Sequence, residues 1–262
     1  MNFLTKKRGM LLIFVVPILL YIGYELFLTR KLSPPADSDR IIVSFRVPEG
    51  VTLLPLGGLY TSSECTNTNF TAGGNTYQAD ATTGVSLSFV SQGDGNLMSA
   101  SIAKDGGGRC RWKLSALQVG FRVSDVNSLA KGKEVSDTHY DFDLLGNGNC
   151  GGVFGVKQVS VVGGDLDIKT IFFPIIYIRH IPRNRTTVEL FGGDTGYEKW
   201  SRCYRLSDTK NISINPVVHL SKIVTLEEPN NLHGDFTVTY PDGSRGIPLN
   251  IYPDYEKLLS IK

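Results

Sequence analysis

Four residues in the middle of the chain have the types and spacing for acid–base or metal chemistry. Asp137, His139, Asp141 and Asp143 alternate through SDTHYDFD. On a strand, where side chains repeat every two residues, all four project from one face. Thr138, Tyr140, Phe142 and Leu144 then face a core. An imidazole between carboxylates has its pKa raised and can hold a metal or move a proton. On a half-buried antiparallel sheet the same pattern is an ordinary solvated face with its charges outward, and that is the expected reading. Asp137, His139 and Asp141 stand as candidate binding residues, with no metal and no cofactor assigned.

A second cluster, Arg179, His180, Arg183 and Arg185, falls within RHIPRNR. At a hairpin tip it suits a carboxylate-rich partner or anionic lipid headgroups. As a polar turn it only keeps the chain soluble. His180, His219 and His233 are scattered, and the chain has no H-E-x-x-H, P-loop or dinucleotide fingerprint. It also has no G-x-S-x-G and no supported S-x-x-K. GNGNCGG lacks the ligand pattern of a calcium loop. No catalytic residue is assigned, and the expectation is a protein that is not an enzyme. Asn69, Asn184 and Asn211 open N-x-S/T sequons, about as many as this composition produces by itself.

The four cysteines, Cys65, Cys110, Cys150 and Cys203, are widely spaced, with no CxxC or Cys/His cluster that would suggest zinc. An even, dispersed set suits disulfides in an oxidising compartment. Three pairings are open. The sequential one, Cys65–Cys110 with Cys150–Cys203, would give each of two β units its own bridge, on which Trp112 and Trp200 could pack.

These residues need elements to hold them, and the chain's punctuation points to strands. Twenty-eight glycines, many in GG or DG pairs, break it at intervals typical of strands and turns. Ile41–Val47 reads as a strand, and Val51–Tyr60 continues it around Gly-Gly. The Thr/Asn-rich stretch around Cys65 reads as a polar loop. Gly84–Val90 and Leu97–Ala103 read as a hairpin joined by SQGDGN. In RCRWKLSALQVGFRV, Cys110, Trp112 and Leu114 belong to one alternating series and Leu117, Val119, Phe121 and Val123 to another, which implies a bulge or bend near Ser115 and Ala116. Ser124–Lys131 reads as a helix capped by Ser124 and stopped by Gly132. IFFPIIYI reads as a buried strand, with Pro174 at a bulge or an edge. Pro253–Ile261 ends the chain in a short helix. The expected fold is mainly β: an antiparallel β-sandwich-like exported domain, or two β units, behind one N-terminal transmembrane helix.

That helix is Gly9–Tyr24, uncharged and preceded by Lys6, Lys7 and Arg8, with its apolar run extended through Leu28. A bilayer core of about 30 Å takes roughly 20 apolar residues. No small-x-small cleavage site follows, so an uncleaved signal-anchor is expected. The cationic flank and the cysteines place the N-terminus in the cytoplasm and the rest outside. The expected organisation is a tail at 1–8, the anchor at 9–29, a linker at 30–40 and an exported β domain at 41–262, with a subdivision near 124–134. The linker LSPPADSDR would reach about 25–30 Å when extended.

Residues 1–39 carry five Lys/Arg and three Asp/Glu out of 27 and 25, leaving 22 of each beyond. A neutral exported part argues against nucleic acid as a partner. It suits protein recognition through edges and loops.

The anchor without a lipidation cysteine, the segment RCRWKLSALQVGF and the segment EKWSRCYRL together resemble membrane-anchored periplasmic immunity proteins encoded beside secreted antibacterial effectors. The resemblance is one of architecture, and no site residue is carried over from it. It implies a binder of a periplasm-acting toxin, held at the bacterial inner membrane through residues 9–29. The alternatives from other classes are a structural component of a cell-envelope or secretion complex, a hydrolase or metal enzyme using the His139 face, and sugar binding on an exposed aromatic strand.

Overall fold

The computed structural model describes residues 16–18, 20, 21, 23, 31–93, 95–146, 151–152, 155–156, 159–180, 182–193, 201–229, 234–248 and 252–261, with the backbone alone at 151, 152, 155, 156, 159 and 201. The chain is mainly β, with several sheets. It divides into two compact units, one made of residues 1–39, 60–83 and 103–114, the other of 40–59, 84–102 and 115–262. The 124–134 segment lies inside the second of these.

In the first unit the Thr/Asn-rich stretch is a β-hairpin, where a loop was expected. The strands Leu56–Phe70 and Thr76–Leu87 flank a turn in which the Thr71 amide donates to Asn75 O at 2.8 Å and the Gly74 amide to Thr71 O at 2.9 Å. Threonine favours extended backbone. The sequence hid this because both faces of the outer hairpin are exposed, so no apolar alternation marks it. Its root is buried. Tyr60 donates to Ala103 O at 2.7 Å, Ser62 donates to Cys110 O, and the Cys65–Cys110 disulfide closes the base.

Residues 31–39 belong to this unit, and Ser33, Ser38 and Asp39 are bonded along its 104–107 segment. The Ser33 amide donates to Gly106 O at 2.8 Å, the Lys104 amide donates to Asp39 O at 2.7 Å, and Ser33 bridges Gly107 in parallel. The Asp105 amide donates to Ser38 Oγ at 3.1 Å. Gly107 has φ +57°, and a Cβ there would stand 2.1 Å from Ser33 O. The glycine permits the contact. A stretch that reads as a linker by composition is therefore stitched to the fold.

In the second unit the sheets are mixed, which departs from the antiparallel expectation. Thr138–Asp143 pairs in parallel with Ser201–Ser207 and antiparallel with Trp112–Val123. Arg40–Arg46 pairs in parallel with Asn211–Ile214. Ile171–Arg179 pairs in parallel with Val217–Val218 and Val224–Glu227, and antiparallel with Arg185–Phe191. Parallel pairing joins strands remote in sequence, which turn signals do not reveal.

Phe121 is the centre of the core. Its ring lies 5.4 Å from Phe45, 5.9 Å from Tyr140 and 5.1 Å from Phe172. These residues come from three different sheets. A second cluster joins Phe173, Phe191, Tyr252 and Tyr255. The Tyr255–Ser260 helix, capped by the Asp254 side chain at 3.1 Å from Lys257 N, supplies Tyr255 to it.

Two further expectations are revised. Pro174 is buried in a central strand, neither at an edge nor at a register shift. Its missing N–H falls between the Phe172 pairing with Val218 and the Ile175 pairing with Val224, where the ladder is already interrupted. The expected Ser124–Lys131 helix is a single 3-10 turn, Ser128–Ala130, capped by Asn127, whose Oδ1 accepts from Leu129 N. Trp112–Val123 runs as one strand, and its burial phase slips at Ser115, as the two alternating series require; Ser115 is wholly buried and donates to Leu59 O.

Candidate functional site

His139, Asp141 and Asp143 lie on the Thr138–Asp143 strand and Asp137 just precedes it, exposed, but the face is not solvated at its far end. Asp141 is 9% exposed and Asp143 0%. The strand is central, and local partners make burial tolerable, as a buried charge requires. Asp141 Oδ1 accepts from Gln118 Nε2 at 3.0 Å, and its Oδ2 lies 3.4 Å from His139 Nε2. Asp143 Oδ1 accepts from the Leu145 and Gly146 amides at 3.2 and 2.9 Å, and Oδ2 faces Arg205 Nε at 3.6 Å. Asp137 stands apart from this pair and faces Arg122 at 3.6 Å. His139 and Asp141 are thus brought together, and Asp137 is not.

Beside Asp141 and Gln118 lies a concavity of about 310 Å³ whose wall includes Gly57, Leu59 and Val85. It is shallow and open. On the core side of the same strand, burial pushes the Tyr140 phenol well above its ordinary value, against the opposing pull of Thr170. Tyr140 therefore stays neutral at physiological pH.

Arg179, His180, Arg183 and Arg185 form the connection between Ile171–Arg179 and Arg185–Phe191. Glutamates from neighbouring segments meet Arg185 and His180. Arg185 pairs with Glu134, His180 Nε2 lies 3.4 Å from Glu227 Oε1, and the His180 amide donates to Glu228 Oε2 at 2.8 Å. The Arg179 guanidinium lies over the Tyr177 ring at 5.7 Å. Arg183 is exposed. The two candidate clusters share no hydrogen bond or ion pair among the described residues. His219 stacks on Phe173 at 5.6 Å and belongs to the packing. No group of three or more His, Cys, Asp or Glu residues arranged to hold a metal occurs among the described residues.

Cys65 and Cys110 pair as the sequential scheme has it. Cys203 is disulfide-bonded as well, and Cys150 lies outside the described residues. Trp200 and His233 also lie outside them.

Sequence reasoning missed the outer half of the hairpin. From Thr66 to Ala79 no side chain is charged. Phe70 is 72% exposed and Tyr77 49%. The available signal was the coincidence of Thr-rich chain, Gly73-Gly74 and two aromatics in a stretch without apolar alternation. Comparison with protein-family models, with curated proteins and with solved structures finds no match.

Proposed function

We propose that the chain is a membrane-anchored periplasmic protein-binding module, most specifically an immunity-type inhibitor of a periplasm-acting toxin. The observation that carries the binding part is the outer hairpin. It contributes little to any core, yet it presents Phe70 and Tyr77 on a ribbon stapled at its root by Cys65–Cys110. Exposed aromatics on a braced scaffold are what a recognition surface needs.

Location rests on the uncharged stretch after Lys6, Lys7 and Arg8 and on the paired cysteines. The described positions within the stretch are helical, and Val16, Ile18, Leu20 and Tyr21 are exposed apolar side chains there. Among the described residues no helix is long and apolar enough to cross a membrane, and most of the stretch lies outside them. The proposed architecture is a disulfide-stapled β domain behind one membrane helix.

The test is a mixed-culture competition between the parent and a strain deleted for this gene and any adjacent effector gene. Killing of the deletant, with rescue by this chain on a plasmid, is the expected result. Equal survival would remove the immunity reading.

A further inference from the structure

We infer that the Thr66–Ala79 ribbon is engaged on both faces at once, inserted between the walls of an uncharged cleft in one partner protein. This rests on the protein-binding reading above and specifies how the partner is built.

The geometry starts from Gln78 Nε2, which donates to Thr68 Oγ1 at 2.9 Å and so places Thr68 and Gln78 on one face. Side chains alternate along a strand, so Phe70 shares the face of Thr68, and Tyr77 lies on the opposite face from Gln78. The two exposed aromatics therefore point in opposite directions, one from each strand.

A flat partner surface can cover only one of them. A second copy stacked face to face leaves the other in water, and edge-to-edge strand pairing covers neither. Only a cleft can bury both. A two-stranded ribbon is narrow, with strands about 4.8 Å apart, and can enter one. The chemistry of the walls follows from charge. With no charged side chain between Glu64 and Asp80 except at those ends, a wall of either sign would lose solvation without gaining a counter-charge. The Cys65–Cys110 bridge at the base limits the conformational freedom lost on insertion.

The experiment uses the full chain in the mixed culture, with benzoylphenylalanine at position 70 or at position 77 and, as a control, at the exposed Val161. Irradiation is expected to give the same partner adduct from positions 70 and 77 and none from 161. An adduct from one ribbon position alone, adducts to different proteins, no adduct, or a product of twice the chain's mass overturns the inference. In parallel, Phe70→Ser and Tyr77→Ser are each expected to lower rescue roughly tenfold or more, with non-reducing immunoblots showing normal accumulation. If wild-type chain fails to rescue, immunity is lost. If it rescues and either variant rescues equally well, two-faced insertion is lost.

Discussion

Asp143 has no exposed surface, and Arg205, its register partner on the neighbouring parallel strand, brings Nε within 3.6 Å of its Oδ2. Neither atom has a hydrogen-bond partner among the described residues, so the contact is an ion pair. Asp143→Ala would strand this guanidinium and two backbone amides. A loss on the order of 3 kcal/mol is expected in urea unfolding. Asp143→Asn keeps one carbonyl oxygen for the amides and should cost less than half of that. Equal losses for the two variants would mean that the amide bonds contribute nothing.

The Cys65–Cys110 bridge spans 45 residues of sequence. The chain-entropy account gives about 4 kcal/mol for a loop of this size. The double variant Cys65→Ser, Cys110→Ser is expected to lose most of the exchange protection in peptides from residues 60–83, with peptides from the Thr138–Asp143 region much less affected. Uniform loss across both would show that the two units unfold together.

The sequence made some of this legible and hid the rest for identifiable reasons. The β class, the turn between Ser91 and Leu97 and the terminal helix capped by Asp254 rest on local chemistry, and local chemistry is what a sequence displays. The burial of Asp141 and Asp143 is non-local. It depends on Ser201–Ser207 lying alongside in parallel, more than fifty residues downstream. The stitching of residues 31–39 is backbone to backbone and leaves no side-chain pattern. Its trace was Gly106-Gly107-Gly108, a sign of close backbone approach.

Gly107→Ala tests that stitching directly. The left-handed backbone costs an alanine about 1 kcal/mol, and the 2.1 Å approach of its Cβ to Ser33 O cannot be relieved without moving the main chain. The expected outcome is loss of exchange protection at the Ser33 amide. Protection equal to wild type would show that the 31–39 segment is not held by this contact.

The Asp105 carboxyl is held below its ordinary 3.8, first by the hydrogen bond from Lys113 and next by that from the Gly107 amide. A depressed native pKa contributes stability that is complete above the ordinary value and is lost as pH falls through the native one. The contact should therefore be constant from neutral pH down to about pH 4 and weaken below. The Gly107 amide resonance is expected to titrate with a midpoint under 3.8, and Asp105→Asn should abolish the transition. A midpoint at or above 3.8 in the wild type would contradict the depressed value.

Nine extended residues would let an attached body wander over roughly 30 Å. Bonded along the 104–107 segment, residues 33–39 have no such play. The ring of Tyr60, at the root of the ribbon, rests against Gly106, the residue whose carbonyl holds Ser33. Whatever fixes residue 33 therefore fixes the ribbon's root. Were residue 31 to lie at the exit of the proposed membrane anchor, this unit would act as a gauge instead of a leash. The distance from residue 33 to the ribbon's root is then set by backbone hydrogen bonds and not by the slack of a linker.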